Sequence, residues 1–232
     1  GVGQFCTNPG LIIGVESPAL QQFIDRLQAE TTPIAAAKML HTGIAKAYAE
    51  KKQEALSQPG VSTVVNSEVV DDGISAAPAI ATTTGAAFLS NPVLHQEVFG
   101  PYSIVIRCRD MQEMISVAEH IEGQLTSTAM ATDNDVLQHA GLVETIQNTC
   151  GRFIMNGVPT GVEVCLSMQH GGPFPATTDS RFTSVGGDGI KRFARPVAFQ
   201  NWSNTLLPDE LKNENPLQIW RTVNNELSKS AI

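Results

Sequence analysis

Between residues 102 and 155 the chain alternates β-rich runs with helical periodicity, and this alternation restricts the possible folds more than any other feature. Residues 102–108 (YSIVIRC), 124–131 and 152–155 read as strands. Between them, residues 111–121, capped by Asp110, and residues 135–149, started by Asp133 or Asn134, read as helices. Successive strands that each pass through a helix pair in parallel by crossover connections. Upstream, residues 61–65 and 77–82 add two short β-rich runs. Two helices precede them. The first spans residues 17–30, with Ser17 as N-cap, Pro18 in the first turn and Leu20, Phe23, Ile24 and Leu27 recurring on one face. The second spans residues 35–56, carries Met39, Leu40, Ile44, Ala47 and Tyr48 on one face, and is stopped by Gln58, Pro59 and Gly60. The expectation is an α/β domain with a largely parallel sheet flanked by helices.

Over 232 residues, 42% hydrophobic content suffices for a full core. The formal charge of -8, with no basic cluster longer than Lys51-Lys52 or Lys191-Arg192, argues against nucleic acid as a partner. Cys6, Cys108, Cys150 and Cys165 form no CxxC pair, which fits a reducing compartment with free thiols. No apolar run has membrane-spanning length, and the first residues lack the basic start and apolar core of a signal peptide. A soluble, cytoplasmic protein with no membrane partner is expected. His41, His95, His120 and His139 have no metal-ligand spacing, and Cys165 with His170 supplies two ligands at most, so no metal site is expected.

Two regions depart from regular structure. At the start, Gly3-Gln4-Phe5-Cys6-Thr7-Asn8-Pro9-Gly10 places a thiol among small, turn-forming residues ahead of the apolar run Leu11, Ile12 and Ile13. A sulfur exposed on such a bend can attack a substrate while neighbouring N–H groups stabilise an oxyanion. From composition alone, a buried cysteine filling apolar space is the commoner case. Residues 157–188 form a second irregular stretch, too long for a mere connection and of the kind that carries function. Gly1-Val2-Gly3 and Gly186-Gly187-Asp188-Gly189 lack the context of phosphate-binding loops and read as turns, as does the segment Val69-Val70-Asp71-Asp72-Gly73. Near the end, Leu206, Leu207, Leu211, Leu217, Ile219 and Trp220 suggest short helices and a tail packing on the domain.

GQFCTNPG resembles the nucleophile segment of the aldehyde dehydrogenase superfamily. Glu97-Val98-Phe99-Gly100-Pro101 resembles that superfamily's Glu-x-Phe-Gly-Pro signature, and GRFIMNG, residues 151–157, resembles its late strand ending in Asn-Gly. Residues 159–186, with His170-Gly171-Gly172-Pro173 inside them, look like the branch containing α-ketoglutaric semialdehyde (2,5-dioxopentanoate) dehydrogenases and an NADP-dependent long-chain aldehyde dehydrogenase. Most other branches carry an aromatic residue where His170 stands.

The resemblance implies the catalytic domain of the aldehyde dehydrogenase fold over residues 1–195, a tail over residues 196–232, and a nucleotide-binding portion that lies upstream and is absent. It implies Cys6 as the nucleophile and Glu97 and Phe99 as the residues holding the nicotinamide riboside of NADP (or NAD). His170 then lines the substrate pocket, where it could assist ionisation of the thiol or bond a polar substrate group; a merely solvated loop histidine is an equal alternative. The implied activity is oxidation of an aldehyde, such as 2,5-dioxopentanoate to 2-oxoglutarate, through a thiohemiacetal and a thioester. The implied assembly is a homo-oligomer, and this chain alone is expected to be inactive. Two other readings stand beside this one: a cofactor-independent thiol esterase or acyltransferase using Cys6 and His170, and a non-catalytic oligomerisation domain. For Cys108, Cys150 and Cys165 the structural reading leads.

Overall fold

The computed structural model describes residues 1–69, 72–159, 161 and 163–232. The chain divides into two compact units, Gly1–Arg192 and Phe193–Ile232.

The first unit opens with β1 (Leu11–Val15), α1 (Pro18–Thr31), β2 (Ala37–Lys38), α2 (Thr42–Leu56), β3 (Ser62–Asn66) and β4 (Ser75–Ala76). It continues with β5 (Ala79–Thr84), α3 (Gly85–Ser90), β6 (Tyr102–Cys108), α4 (Met111–Glu119), β7 (Gln124–Ala129), α5 (Asp133–Gln138), α6 (Ala140–Thr149) and β8 (Cys150–Met155). Four strands form the central sheet in the order β1-β6-β5-β3. β6 runs parallel to both β1 and β5, while β3 joins antiparallel at the edge. β7 and β8 pair in parallel as a separate two-stranded sheet, with α5 and α6 making the crossover.

Alternation along β6 explains why the central sheet is covered on both faces. Ile104 and Ile106 face a cluster with Tyr48, Phe88, Leu94 and Val117 from α2, α3, α4 and the turn before residue 96. Val105 faces the other way, onto Ile24, Val65 and Ile80, with Leu20 and Leu27 of α1 packed alongside. The apolar stripe anticipated for α1 therefore seals one face, and the Ser17 hydroxyl caps that helix by accepting from the Leu20 N–H at 3.1 Å.

The α/β class and the largely parallel sheet are as anticipated, and β7 and β8 pair in parallel across α5 and α6, but β6 and β7 lie in different sheets instead of pairing across α4, and several boundaries move. The second helix begins at Thr42, because Ala37–Lys38 pairs antiparallel with Ser75–Ala76 and His41 becomes the N-cap, its Nδ1 accepting from Gly43 and Ile44 N–H. The anticipated single helix over 135–149 is broken at His139 and begins with a Thr132–Asp135 capping box. β1 and α3 escaped the sequence reading. Leu11–Val15 is too short to separate a strand from a buried apolar run, and Gly85–Ser90 is a single short turn of helix started by Thr84. The turn anticipated at residues 69–73 includes Val70 and Asp71, which lie outside the described residues.

The second unit contains one short 3-10 helix, Asn204–Leu206, and an antiparallel hairpin of β9 (Arg221–Val223) and β10 (Glu226–Ser228) where further helices were anticipated. Asn224 and Asn225 have φ of 49° and 70°, the two positive values that a tight two-residue hairpin turn requires. Asn215 anchors this unit: fully buried, it donates from Nδ2 to the Ile219 and Lys229 carbonyls and accepts from the Ile219 N–H.

Candidate active site

Cys6 is an exposed residue on a turn whose flanking residues are fastened. Val2 and Gly3, with φ of 58° and 62°, bend the chain toward Gly100. A Cβ on Gly3 would overlap the Gly100 carbonyl, so this approach needs glycine at position 3. Gln4 accepts from the Leu40 N–H at 2.8 Å, and the Asn8 N–H closes the turn on the Phe5 carbonyl at 3.0 Å. Beyond the thiol, Thr7 is buried and donates its hydroxyl to the Pro159 carbonyl at 3.1 Å. The Asn8 side chain donates to the Gly100 carbonyl at 3.2 Å. Among the described residues, the Cys6 N–H donates to no backbone carbonyl, which leaves it free to serve as an oxyanion donor.

His170 stands on the opposite wall. Its Nε2 is 3.4 Å from the Cys6 sulfur, a hydrogen-bonding separation for sulfur. The residue is only 8% exposed, and its backbone is fixed: the N–H donates to the Thr183 hydroxyl at 2.9 Å, while the carbonyl accepts from the Ser184 N–H and hydroxyl. The glycines beside it allow the loop to lie flat on β7 and β8. A Cβ on Gly172 would overlap the Gln124 carbonyl, and one on Gly151 would overlap the Gly171 carbonyl. Burial, and secondarily the positive charge of Arg152, hold the His170 pKa below its ordinary 6.5. At neutral pH the imidazole is therefore uncharged and can accept a proton from the thiol. Its Nδ1 is buried without a hydrogen-bond partner among the described residues.

The Glu97–Pro101 segment meets the Cys6 turn at Gly100, through the close approach of Gly3 and the bond from Asn8. Tyr48 supports it from below. The phenol donates to the Ala77 carbonyl at 2.8 Å and reaches the Pro101 carbonyl at 3.2 Å, and a Cβ on Gly100 would strike the phenol ring. Burial raises the Tyr48 pKa far above its usual value, so the phenol keeps its proton. Phe99 remains 36% exposed, and Glu97 is exposed with no salt bridge among the described residues.

The remaining thiols have other surroundings. Cys108 is buried in the core, where burial, with Glu113 and Asp110 nearby, pushes its pKa up to about 11. Burial also raises the pKa of Cys150, and Cys165 is exposed beside the Ser167 hydroxyl at 3.3 Å. A surface depression of about 510 Å³ between α5 and α6, lined by Leu137, Val143 and Glu144, shares no residue with the Cys6–His170 pair. Among the described residues, no group of three His, Cys, Asp or Glu side chains is placed to hold a metal, and no helix is long and apolar enough to cross a membrane.

Sequence reading singled out Cys6, Glu97, Phe99 and His170, and the structure joins Cys6 to His170 directly and to the Glu97–Pro101 segment through Gly100. It missed Thr7, Asn8, Tyr48 and Arg152. Tyr48 looked like one more apolar residue on a helix face, and Arg152 like an ordinary strand residue; neither carries a local signal of its long-range bonds.

The geometry therefore sets a thiol against a buried imidazole, on a glycine-dependent turn of an α/β unit. The sequence profile of the Aldehyde dehydrogenase family matches residues 1–174. Alpha-ketoglutaric semialdehyde dehydrogenase from Acinetobacter baylyi is 44% identical over 231 residues, covering 99% of this chain and 44% of the relative. Alpha-ketoglutaric semialdehyde dehydrogenase 2 from Azospirillum brasilense is 42% identical over 221 residues, covering 95% and 42%. In fold, the chain is similar to Delta-pyrroline-5-carboxylate dehydrogenase from Mycobacterium tuberculosis, with a TM-score of 0.68 at 16% identity, covering 89% of this chain and 40% of that one. Methylmalonate-semialdehyde dehydrogenase from Oceanimonas doudoroffii gives a TM-score of 0.66 at 16% identity, covering 82% and 40%. This chain belongs to the aldehyde dehydrogenase family. It spans less than half the length of the curated relatives it matches.

Proposed function

We propose that this chain supplies the catalytic portion of an NAD(P)-dependent aldehyde dehydrogenase, with Cys6 as nucleophile. The observation that carries this reading is the sulfur of the exposed residue Cys6 lying 3.4 Å from the His170 Nε2. In the first step the sulfur bonds to the aldehyde carbon, and the thiol proton moves to the neutral imidazole of His170. The carbonyl π pair moves onto oxygen, where the Cys6 N–H donates to it. His170 then returns its proton to that oxygen, giving a neutral thiohemiacetal. A bound nicotinamide would supply the hydride acceptor for oxidation of this adduct, with His170 placed to take the hydroxyl proton, and water would hydrolyse the resulting Cys6 thioester to the acid. Glu97 and Phe99 fit such a group: the exposed carboxylate suits a ribose diol, and the exposed ring two residues on suits the nicotinamide end.

The relatives named for α-ketoglutaric semialdehyde favour a short oxo-acid aldehyde such as 2,5-dioxopentanoate as substrate, and the branch resemblance favours NADP over NAD. The nucleotide-binding portion of the enzyme is supplied by sequence outside this chain, so the chain alone does not turn over aldehyde. The working protein is a cytoplasmic homo-oligomer. Residues 1–195 act as the catalytic domain and residues 196–232 as its tail.

Alkylation of the purified chain with limiting iodoacetamide, read by peptide mapping, tests the central point. Cys6 is expected to react ahead of Cys165, Cys150 and Cys108, and 2,5-dioxopentanoate is expected to protect it by forming the thiohemiacetal. Equal labelling of Cys6 and Cys165 with no protection by any aldehyde would reject the assignment. The same thiol–imidazole pair suits acyl transfer without a redox cofactor. Cleavage of an activated ester that continues while aldehyde is ignored by the complete enzyme would favour that second reading.

A further inference from the structure

We propose that Arg152 is the positioning residue of the Cys6–His170 pair: its guanidinium clamps the Pro159 and Gly161 carbonyls, and through the Pro159 oxygen it holds the Cys6 turn in register with the late loop. The inference rests on the reading of Cys6 and His170 as a working pair.

Arg152 lies on β8, beside Thr126 of β7 in the parallel register. Its Nη2 donates to the Pro159 carbonyl at 2.6 Å and its Nη1 to the Gly161 carbonyl at 3.1 Å. The Pro159 oxygen takes a second bond, at 3.1 Å, from the hydroxyl of Thr7, the residue next to the nucleophile. One carbonyl thus receives donors from two segments 145 positions apart, the first fixed by strand pairing and the second carrying the thiol. The neighbouring residue, Gly151, lies against Gly171, one position from the imidazole. Arg152 therefore connects the strand, the late loop and the Cys6 turn where the two reactive groups meet.

Stability alone is a poor reason for this cation. Among the described residues Arg152 has no carboxylate partner, and its Nε is buried without an acceptor. A charge partly removed from water and bonded only to neutral carbonyls is a costly way to fill space that an apolar side chain fills well. What a guanidinium adds is a rigid planar fork whose two ends reach two carbonyls at once; a lysine ammonium is a single point on a flexible stem. Its charge also contributes to keeping His170 uncharged, after the larger effect of burial.

The test follows Cys6 alkylation in the full 232-residue chain from pH 5 to 9 by peptide mapping, with near-UV circular dichroism to confirm folding. In the parent chain, titration of His170 is expected to give an inflection below pH 6.5, which His170→Gln removes. Arg152→Met is expected to remove the same inflection and to slow Cys6 labelling at pH 7 by about tenfold, the equivalent of one hydrogen bond to a charged group. Arg152→Lys keeps the charge without the fork and is expected to behave like Arg152→Met. Thr7→Val, which deletes the other donor to the Pro159 oxygen, is expected to weaken the inflection and slow labelling by about threefold, about one neutral hydrogen bond. Arg107→Met removes another strand arginine, ion-paired with Glu16 away from the site, and is expected to leave the profile intact.

A parental profile in folded Arg152→Met, or full rescue by lysine, overturns the clamp while the pair reading survives. A shift in Arg107→Met as large as that in Arg152→Met also overturns it, by making the effect generic. If Arg152→Met does not fold, a parental profile in Thr7→Val overturns the inference. If His170→Gln keeps the parental profile, the pair reading itself fails and the inference falls with it.

Discussion

The β6 strand and the Cys6 turn make contact at the Gly100 corner, yet they are held by different physics. In β6, Ile104, Val105 and Ile106 are essentially inaccessible, pack against helices on both faces, and pair with strands on both sides. The Cys6 turn buries little hydrocarbon. Its position depends on positive φ at Val2 and Gly3, side-chain bonds made by Gln4, Thr7 and Asn8, and one sulfur–imidazole contact. Hydrocarbon packing stabilises the fold through many weak, replaceable contacts, whereas the site is specified by a few directional contacts, each of which has no substitute. Damage to the first region should therefore appear as lost stability, and damage to the second as lost chemistry.

The widest separation of the two effects is expected from Cys6→Ser in the complete enzyme. Aldehyde oxidation should fall by about three orders of magnitude or more, because the hydroxyl lacks the nucleophilicity of the thiol. The urea midpoint should stay within the scatter of the parent, since the residue is exposed. A large loss of stability would merge the two regions. The converse substitution is Ile106→Ala, which should cost about 2–5 kcal/mol in equilibrium unfolding, the range for a fully buried aliphatic side chain. The ordering of thiol reactivities in the folded fraction should persist.

Gly3→Ala sits between the extremes. A methyl group there meets the Gly100 carbonyl at a positive φ, so a loss of about 1–3 kcal/mol in thermal or urea unfolding is expected, together with slower Cys6 alkylation. Unchanged alkylation would show that the turn is set by something other than this close approach. The smallest effect concerns pH. The folded state holds the His170 pKa below 6.5, so the unfolded chain binds more protons between the folded value and 6.5. The stability contribution of neutral His170 is complete above pH 6.5 and is lost as pH falls through its lowered folded value. Difference melting curves of the parent and His170→Gln should diverge across that window; parallel curves would mean that the imidazole ionises as freely folded as unfolded.

Local pattern carried much of the fold. Ser17-Pro18 announced α1, Asp110 announced α4, and the run YSIVIRC announced β6, because caps and two-residue alternation act over a few residues. One boundary moved for a long-range reason, Ala37–Lys38 leaving the helical pattern to pair with residues 75 and 76, while the run over 135–149 broke at His139, where φ of -116° and ψ of 39° leave the helical region. The central sheet's edge was also out of reach, since nothing within residues 62–66 states that β3 joins antiparallel to β5.

By itself the sequence determined the α/β class, the family and the identities of a thiol, a carboxylate, an aromatic ring and an imidazole worth attention, because motifs and periodicities are written in neighbouring letters. Only the tertiary structure decided that Cys6 and His170, 164 residues apart, meet at 3.4 Å, and that Arg152 and Thr7 share one carbonyl beside them. Those contacts depend on the sheet bringing distant loops to one place and on glycines at 3, 151 and 172 letting backbone touch backbone. Proximity created by packing has no local signature in the chain.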